Sequence, residues 1–434
     1  MATVRSSPVA ALTGTLRVPS DKSITHRALM LGALSEHAVG VDMPLDSADT
    51  AATANAVAAC GADVDGLLGD HVVVHGRGVR GLRPHPAIDC ANAGTLMRLF
   101  SGILVGQDGQ SIILDGDASL RGRPMARIAR PLRAMGASVF TAPGGTPPLV
   151  VSGGTPLRAM RHELTVASAQ VKSAILLAGM YADGETWVVE PAPSRDHTER
   201  MLAASGVDVM RDGDAVGVRG PVARLDLPDM AVPADFSSAA FHLVAGALRA
   251  DPDVRLQGVN LNPGRTGLLG VMRRMGADVT VRETAPVAGE PCGDLVVRRT
   301  DGLRATDVEA AEVPSMIDEL PLVGLLAAFA TGVTTVRGAQ ELRVKESDRV
   351  RTTVAALRGM GVDAQELEDG FSVMGQGRVP GGAMESAGDH RLAMLGVVAG
   401  LASDDGVSVG GFEACEVSYP TFARDVAAIG GVRA

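Results

Sequence analysis

A short signature recurs along this chain. An amphipathic segment ends in a turn of small residues, and a strand-like stretch follows. The turns are centred on Gly61, Gly136, Gly206, Gly276, Gly361 and Gly430. Glycine is a common helix C-cap, which explains each turn singly but not the near-regular spacing of 69 to 85 residues. After most turns, as in residues 71–78 and 214–220, alternating apolar residues broken by glycine are typical of a hairpin. The spacing therefore predicts six α/β units.

The length of the chain implies two domains. At 434 residues it is too long for one ordinary core, so six units are expected to divide into three per domain. The extended, proline-containing segment Leu227–Pro233 suits a boundary, because Asp235 then opens an apolar helix that runs through Leu248.

Composition narrows the class of protein. Apolar residues make up 46% of the chain and aromatic residues 3%, which is typical of a soluble α/β protein. The net charge of −10 argues against a general nucleic-acid surface, so an anionic ligand would need a local basic pocket. No apolar run reaches the length of a membrane span and no signal peptide is evident. The four scattered cysteines are interpreted as buried thiols in a reducing cytoplasm.

Lysine is rare in this chain. Of 40 basic residues only Lys22, Lys172 and Lys345 are lysines, and each lies in a polar cluster beside an apolar helix. An ammonium group can lose its proton when it is desolvated, whereas a guanidinium group cannot. These lysines are therefore candidate functional residues.

The segment from Pro19 to Leu34 is predicted to start a helix with Asp21 as its N-cap. Ser23 and Arg27 are spaced i, i+4 and so share a face, while Lys22 lies at the helix mouth, where unpaired N–H groups favour an anion. The alternative is that Lys22 and Arg27 are ordinary solvated charges.

Two further basic clusters follow in the N-terminal half. Gly94 lies in a small-residue turn that leads into a helix with Arg98 on its first turns, an arrangement that also fits a plain loop-to-helix junction. Arg121, Arg123 and Arg127 are expected on a loop interrupted by glycine and proline. They suit bidentate recognition of carboxylate or phosphate, or simply a solvated surface.

Polar residues also precede two apolar helices. Ser168 and Gln170 could bond a polyol or cap a helix, and capping fits Ser168 better than Gln170. Lys172 inside the apolar helix implies a buried partner. Ser194 and Arg195 are expected at the mouth of the next helix, which suits an anion.

The second half of the chain carries candidate catalytic carboxylates. Asp318 and Glu319 come just before the apolar run Leu322–Ala330, and a carboxylate entering a dry region tends towards a raised pKa and can serve as a base. Helix capping is the alternative interpretation. The charged segment 342–350 places Lys345 and Arg349 one turn apart, and a salt-bridged surface helix is its alternative.

Residues 388–394 repeat the design of a polar turn before an apolar helix, with Asp389, His390 and Arg391 as the polar residues. Taken together, the motifs PSDKSITHRALMLGAL, NAGTLMR, SAQVKSA, ELRVKESDR and DHRLAM closely resemble the EPSP synthase (3-phosphoshikimate 1-carboxyvinyltransferase) family. The resemblance runs from about residue 15 to residue 425, with the motifs in the family's order.

The resemblance implies a fold and a reaction. The fold is two inside-out α/β domains of three βαβαββ units each, one of residues 20–233 and the other of residues 1–19 with 234–434, and the active site lies in the cleft between them. The reaction moves the enolpyruvyl group of phosphoenolpyruvate to the 5-hydroxyl of shikimate 3-phosphate and releases phosphate. No metal or organic cofactor is implied. A cytoplasmic monomer with no nucleic-acid or membrane partner is expected.

The resemblance also implies the roles of individual residues. Shikimate 3-phosphate is expected to bind Lys22, Ser23, Arg27, Ser168, Gln170, Ser194, Arg195, Asp318 and Lys345. Phosphoenolpyruvate is expected to bind Lys22, Gly94, Arg123, Gln170, Arg349 and Arg391. Asp318 is expected to act as base on the 5-hydroxyl, and Glu346 is expected to protonate the methylene carbon. Lys22 and Lys345 are expected to take part in these proton transfers.

Two positions depart from the family pattern, and two rival functions stay open. Val417 stands where some members carry a lysine that contacts phosphoenolpyruvate, and Leu99 stands where many have proline.

The UDP-N-acetylglucosamine enolpyruvyl transferase shares the fold but usually carries a reactive cysteine in the loop equivalent to 119–128, where this chain has none. A non-catalytic repeat scaffold is the other rival. His71 and His75 lack a third ligand nearby, which argues against a metal site.

Overall fold

The computed structural model describes residues 3–66, 69–83, 85–109 and 111–431. The ends of the expected domain ranges, residues 1–2 and 432–434, lie outside the described residues. The chain divides into two compact units. The N-terminal unit comprises residues 20–233 and 286–290, and the C-terminal unit comprises residues 1–19, 234–285 and 291–434. Residues 286–290, which the sequence-based boundaries place in the C-terminal domain, therefore group with the N-terminal unit, where Glu290 pairs with His197 at 2.8 Å.

The secondary structure alternates strands and helices. The strands are β1 (Thr3–Ser6), β2 (Leu12–Leu16), β3 (Ala38–Asp42), β4 (Asp63–Asp65), β5 (His71–His75), β6 (Ala87–Asp89), β7 (Ser111–Asp115), β8 (Ser138–Thr141), β9 (Leu149–Ser152), β10 (Arg161–Glu163), β11 (Gly184–Val189), β12 (Val209–Asp212), β13 (Ala215–Gly220), β14 (Met230–Ala231), β15 (Ala250–Asn260), β16 (Asp278–Val287), β17 (Glu290–Arg298), β18 (Thr331–Val336), β19 (Asp363–Leu367), β20 (Gly370–Gln376), β21 (Gly382–Glu385) and β22 (Val407–Gly410). The α-helices are α1 (Lys22–Leu34), α2 (Ala48–Ala59), α3 (Gly94–Leu104), α4 (Ala118–Arg121), α5 (Ala126–Ala134), α6 (Ala169–Gly179), α7 (His197–Ala204), α8 (Phe236–Arg249), α9 (Gly267–Arg274), α10 (Leu320–Phe329), α11 (Arg349–Gly359), α12 (His390–Ala402) and α13 (Phe422–Ala428). Short 3-10 helices cover Val313–Ser315, Gln340–Val344 and Phe412–Val417.

The N-terminal unit repeats one sheet design. Its sheets have the orders β14-β3-β5-β4, β6-β7-β9-β8 and β10-β11-β13-β12. In each sheet the first pair of strands is parallel and the remaining pairs are antiparallel. The antiparallel part includes hairpins that follow the turn glycines, as the sequence predicted for most of the turns.

Helices form the centre of this unit. Burial runs without interruption over 24–34 in α1, 96–104 in α3 and 171–179 in α6. A helix that is buried on every face has to lie inside the unit. Close packing explains Gly102, because a Cβ there would come 2.3 Å from the carbonyl oxygen of Ala174 in α6.

The C-terminal unit also combines sheets with buried helices. Its sheets have the orders β16-β17-β15-β2, β18-β20-β19 and β1-β22-β21. Burial runs over 239–248 in α8, 320–328 in α10 and 392–402 in α12, and these helices pack against one another. Asp235 caps α8 as predicted, accepting a hydrogen bond from Ser237 N.

The repeat signature corresponds to a common turn. A helix ends two residues before each signature glycine, and each glycine has a positive φ, between 82° and 97°. Such a left-handed C-cap strains residues that carry a Cβ. The glycines are Gly61, Gly136, Gly206, Gly276, Gly361 and Gly430.

His26 in α1 gives a prediction about the pH dependence of stability. Burial, with Lys22 nearby, lowers its pKa from 6.5 to about 3, so the folded protein keeps His26 neutral. The unfolded chain takes up a proton below pH 6.5, and stability is therefore lost as the pH falls from 6.5 towards 3, by up to about 1.4 kcal/mol per pH unit. In calorimetry between about pH 7 and pH 5, His26→Gln is expected to flatten the fall in Tm, whereas exposed His85→Gln keeps the wild-type slope. Parallel slopes for wild type and His26→Gln would contradict this.

No helix within the described residues is both long and apolar enough to cross a bilayer. The same residues hold no group of three or more His, Cys, Asp or Glu side chains that could bind a metal ion. His71 and His75 pair instead with Asp42 and Asp65, respectively. All four cysteines are buried, as predicted.

Candidate active site

The mouth of α1 is built as the sequence predicts. Asp21 caps the helix, and its side chain accepts a hydrogen bond from Ile24 N at 3.0 Å. Lys22 follows at the first helical position and is paired with Asp49 of α2 at 3.1 Å, with its side chain 39% exposed. The ammonium group is therefore accessible to an anionic ligand.

Arg27 lies behind this mouth and is buried. It donates to Thr198 Oγ1 at 2.7 Å, to Ser173 Oγ at 3.0 Å and to the Ser23 carbonyl at 2.9 Å. Burial lowers the pKa of Arg27 to about 10, which still leaves it charged at neutral pH. The interpretation of Arg27 as an ordinary solvated charge is wrong.

The start of α3 brings two arginines to one glycine. A Cβ on Gly94 would come 2.8 Å from Nη1 of Arg98 and 3.1 Å from Nη1 of Arg123. The N-cap residue Ala93 makes no side-chain capping bond, so it does not compete with a ligand for the N–H groups of the first turn. A helix N-terminus and two guanidinium groups together favour a bound anion.

Arg98 belongs to this cluster, although the residue assignments drawn from the sequence omit it. Burial, together with the neighbouring charges of Arg127 and Arg123, lowers its pKa to about 9. Its Nη1 donates to Gln170 Oε1 at 2.6 Å, and Gln170 Nε2 donates to Thr95 Oγ1 at 3.0 Å. The i, i+4 spacing of Arg98 from Gly94 was a signal that could have identified it.

The three arginines that were predicted on one loop lie in different environments. Arg121 pairs with Asp115 at 2.6 Å and is exposed, so the solvated-surface interpretation holds for it. Arg123 donates to Asn92 and to Ser119. Arg127 was expected on the loop but lies in α5, because the apolar residues that follow it repeat at helical spacing and are buried.

Residues before and within α6 form a second cluster. Ser168 is the N-cap residue, but its side chain makes no capping bond, so the capping function suggested for it is not observed. Its backbone N–H donates instead to Glu190 Oε1 at 3.0 Å. The predicted buried partner of Lys172 is a pair of glutamates, Glu190 at 2.7 Å and Glu199 at 2.9 Å.

The segment before α7 joins the same cluster. Ser194 Oγ lies 2.7 and 2.8 Å from the two carboxylate oxygens of Glu190, to which it donates. Arg195 follows and is partly exposed, and α7 itself begins at His197. Glu190 was not identified from the sequence, since it follows an ordinary strand and lies 22 residues from Ser168.

In the C-terminal unit, Asp318 and Glu319 precede α10. Glu319 is the N-cap residue but makes no capping bond, so the capping interpretation is wrong for it. Burial is the main cause that raises the pKa of Glu319, and Ser237 donates to its carboxylate. The raised pKa expected for a carboxylate entering this dry region is thus found at Glu319.

Asp318 is surrounded by positive charge. Its carboxylate lies 3.2 Å from Arg349, 3.8 Å from Lys345 and 3.9 Å from Arg391. Opposite charges at these distances favour the ionised carboxylate. An ionised carboxylate can accept a proton from a hydroxyl group.

Arg349 connects the carboxylates of this unit. It is fully buried and lies 2.7 Å from Asp389, 2.7 Å from Glu346 and 3.2 Å from Asp318. Burial alone would lower the pKa of Arg349, but these carboxylates outweigh it and raise the pKa above its ordinary value. Desolvation favours the neutral form of buried Asp389 and, although its side chain is 49% exposed, of Glu346, yet Arg349 holds the pKa of each below its ordinary value.

The charged segment 342–350 is not one surface helix. A 3-10 helix ends at Val344, and α11 begins at Arg349 with Asp348 as its cap. Lys345 and Arg349 were expected one helical turn apart, but they are separated by a turn that lets Arg349 enter the core. The surface interpretation fits Arg343, which pairs with Asp348 and Glu366.

The last motif opens α12. Asp389 caps the helix by accepting from Arg391 N at 2.9 Å while its carboxylate binds Arg349. Arg391 lies 3.7 Å from Glu319 and 3.9 Å from Asp318. Burial, together with the neighbouring arginines, lowers the pKa of His390 to about 4, so this side chain is neutral at physiological pH.

Comparison with known proteins identifies the family. The family model of EPSP synthase (3-phosphoshikimate 1-carboxyvinyltransferase) matches residues 6–426. This chain belongs to the EPSP synthase family. A 3-phosphoshikimate 1-carboxyvinyltransferase of Alkalilimnicola ehrlichii is 47% identical over 416 residues, which is 96% of this chain and 93% of the relative. One of Methylococcus capsulatus is 44% identical over 418 residues, 96% of this chain and 95% of the relative.

A solved structure supports the same assignment. The EPSP synthase of Acinetobacter baumannii matches with a TM-score of 0.91 at 41% identity, covering 99% of this chain and 98% of that chain. The α/β fold and the family resemblance predicted from the sequence motifs are thereby confirmed. Of the departures from the EPSP synthase pattern, Leu99 is buried in α3 and Val417 is 70% exposed at the end of a 3-10 helix.

Proposed function

We propose that this protein transfers the enolpyruvyl group of phosphoenolpyruvate to the 5-hydroxyl of shikimate 3-phosphate and releases phosphate. The observation that carries the proposal is the family match over residues 6–426, which includes every motif that supplies a functional side chain. Both substrates are multiply charged anions. The cationic clusters around α1 and α3 and around Asp318 supply the charge that such ligands need.

The proposal assigns the phosphorylated ring mainly to the N-terminal unit. Lys22 and Ser23 lie at the mouth of α1, and Arg27 behind it is charged and held by hydroxyl groups. Ser168, Gln170, Ser194 and Arg195 provide further polar contacts. Phosphoenolpyruvate is assigned to Lys22, Gln170, Gly94 and Arg123, together with Arg349 and Arg391 of the C-terminal unit.

The proposed chemistry has an addition step and an elimination step. A proton from Glu346 adds to the methylene carbon of phosphoenolpyruvate, and the 5-hydroxyl oxygen bonds to C2 while Asp318 takes the hydroxyl proton. The C2–oxygen bond to phosphate then breaks, the methyl group returns a proton, and the vinyl ether forms. Lys22 and Lys345 take part in these proton transfers, and Lys345 lies 3.8 Å from Asp318.

Glu346 needs a proton before it can act as an acid. In the ligand-free protein Arg349 at 2.7 Å holds it as a carboxylate. Substrate carboxylate or phosphate bound to Arg349 would compete for that guanidinium group. The pKa of Glu346 would then rise, because the cation that holds it low would be engaged by the substrate.

The remaining assignments belong to the same proposal. The protein acts as a cytoplasmic monomer and needs no metal or organic cofactor. Four buried cysteine thiols fit a reducing compartment. Light scattering of the purified protein would test the monomer.

Phosphate release from phosphoenolpyruvate tests the activity. The acceptor is shikimate 3-phosphate, UDP-N-acetylglucosamine or none, each with and without EDTA. Release is expected only with shikimate 3-phosphate and is expected to be unchanged by the chelator. Release only with the nucleotide sugar would overturn the acceptor, and no release with either would indicate a non-catalytic scaffold.

A further inference from the structure

Glu190 is a buried carboxylate to which no step of the proposed reaction assigns a role. It directly follows β11, and its side chain is 6% exposed. Every described contact that it makes comes from a donor. The Ser168 N–H is 3.0 Å from Oε1, Ser194 Oγ is 2.7 Å from Oε1 and 2.8 Å from Oε2, and Lys172 Nζ is 2.7 Å from Oε2.

These contacts link two segments that the proposed function assigns to shikimate 3-phosphate. Ser168 stands at the start of α6, and Ser194 lies in the segment before α7. Lys172 strengthens the link, because its Nζ also donates to the Ser194 carbonyl at 3.3 Å. Ser194 is thus held at its hydroxyl by Glu190 and at its backbone by Lys172.

We infer that Glu190 is a positioning residue that fixes Ser168 and Ser194 for binding shikimate 3-phosphate, an inference that rests on the proposed function. Hydrogen bonds to an ionised acceptor are stronger than neutral ones, and a binding group held in place before the ligand arrives loses less entropy on binding. Ser194 can then accept from a ring hydroxyl, or exchange Glu190 for a substrate oxygen as its acceptor, without moving its own oxygen.

The pattern of donors requires a carboxylate. A glutamine at 190 would have the same shape but would replace one acceptor oxygen with an N–H₂ donor. Placed at Oε2, the new donor would face Lys172; placed at Oε1, it would face the Ser168 N–H. Either orientation sets donor against donor, so Glu190→Gln should release the two segments although it fills the same volume.

Glu199 provides a matched comparison. It is as deeply buried as Glu190 and lies 2.9 Å from Lys172, but it has no described contact with Ser168 or Ser194. Glu199→Gln therefore removes one buried carboxylate from the same lysine and leaves the two serine contacts in place. Both substitutions should lower Tm, and Glu199→Gln also removes a negative charge that acts on Arg27, but only the one at 190 should release the contacts with Ser168 and Ser194.

The test is steady-state phosphate release with each substrate varied in turn. Glu190→Gln is expected to raise the KM for shikimate 3-phosphate roughly tenfold or more, the effect of one or two lost hydrogen bonds. The KM for phosphoenolpyruvate should change less than about threefold, as should both KM values in Glu199→Gln. In a Ser194→Ala background the effect of Glu190→Gln should shrink, because part of it acts through Ser194.

The outcomes separate the two proposals. An active wild type in which Glu190→Gln changes both KM values equally, or adds fully to Ser194→Ala, would overturn the positioning role and leave the proposed function intact. A wild type that is inactive with shikimate 3-phosphate would overturn both. If Glu190→Gln does not fold, Glu190→Asp keeps every acceptor on a shorter side chain, and an unchanged KM for shikimate 3-phosphate in that variant would equally overturn the role.

Discussion

Replacement of Asp318 by asparagine is expected to lower kcat by roughly a thousandfold, the usual scale for loss of a general base. The amide has the same shape but cannot take up the proton of the 5-hydroxyl. It also removes the negative charge that faces Arg349, Lys345 and Arg391. Single-turnover kinetics at saturating substrate would measure the effect on the chemical step separately from product release.

Asp363 offers a control for this variant. It lies on β19 of the same unit and is exposed. Asp363→Asn is expected to leave kcat unchanged. If Asp318→Asn turned over at a rate within about tenfold of the wild type, the role of Asp318 as base would be wrong, since one displaced hydrogen bond would account for a loss of that size.

Of the substitutions proposed for this protein, Arg349→Met is expected to lower the free energy of unfolding the most. The substitution leaves Asp389 buried without its cation and removes the partner of Glu346 and Asp318. Breaking a buried ion pair from one side costs about 3–5 kcal/mol, which corresponds to a fall of roughly 10 °C in Tm for a unit of this size. Calorimetry is the suitable measurement, because a two-unit chain need not unfold in a single transition.

The stability that the Arg349–Asp389 pair contributes depends on pH through the carboxyl group of Asp389. Arg349 holds the pKa of Asp389 below the ordinary value of 3.8, so the contribution is present above that value and is lost as the pH falls through the folded-state pKa. Arg299→Met, which breaks a mostly exposed pair with Asp301, should cost less than about 1 kcal/mol. Equal falls in Tm for Arg349→Met and Arg299→Met near pH 7 would contradict the expected contribution of Arg349 to stability.

Local features of the fold were predictable from the sequence. The Asp21 cap, the glycine turns that end the helices and the hairpins that follow depend on residues a few positions apart. The chemistry of a single side chain was also informative, since Lys172 in an apolar helix implied a buried partner, and it has two.

Contacts between distant segments were not predictable in the same way. Segment 342–350 has the composition of a charged surface, and nothing within it indicates that Arg349 is buried against Asp389, 40 residues away. Glu190 likewise gains its role only because the fold brings α6 and the segment before α7 to the end of β11. In both cases the tertiary structure, and not the local pattern, sets the environment of the charge.

Identification of the product tests the central claim most directly. The purified protein would be incubated with phosphoenolpyruvate and shikimate 3-phosphate, and the product analysed by mass spectrometry and NMR. The account predicts that the 5-hydroxyl hydrogen of shikimate 3-phosphate is replaced by one enolpyruvyl group, a net gain of C₃H₂O₂. The proton on C5 should correlate with the vinyl ether carbon, and equimolar phosphate should be released. Unmodified shikimate 3-phosphate, with phosphoenolpyruvate either unchanged or hydrolysed to pyruvate, would contradict it.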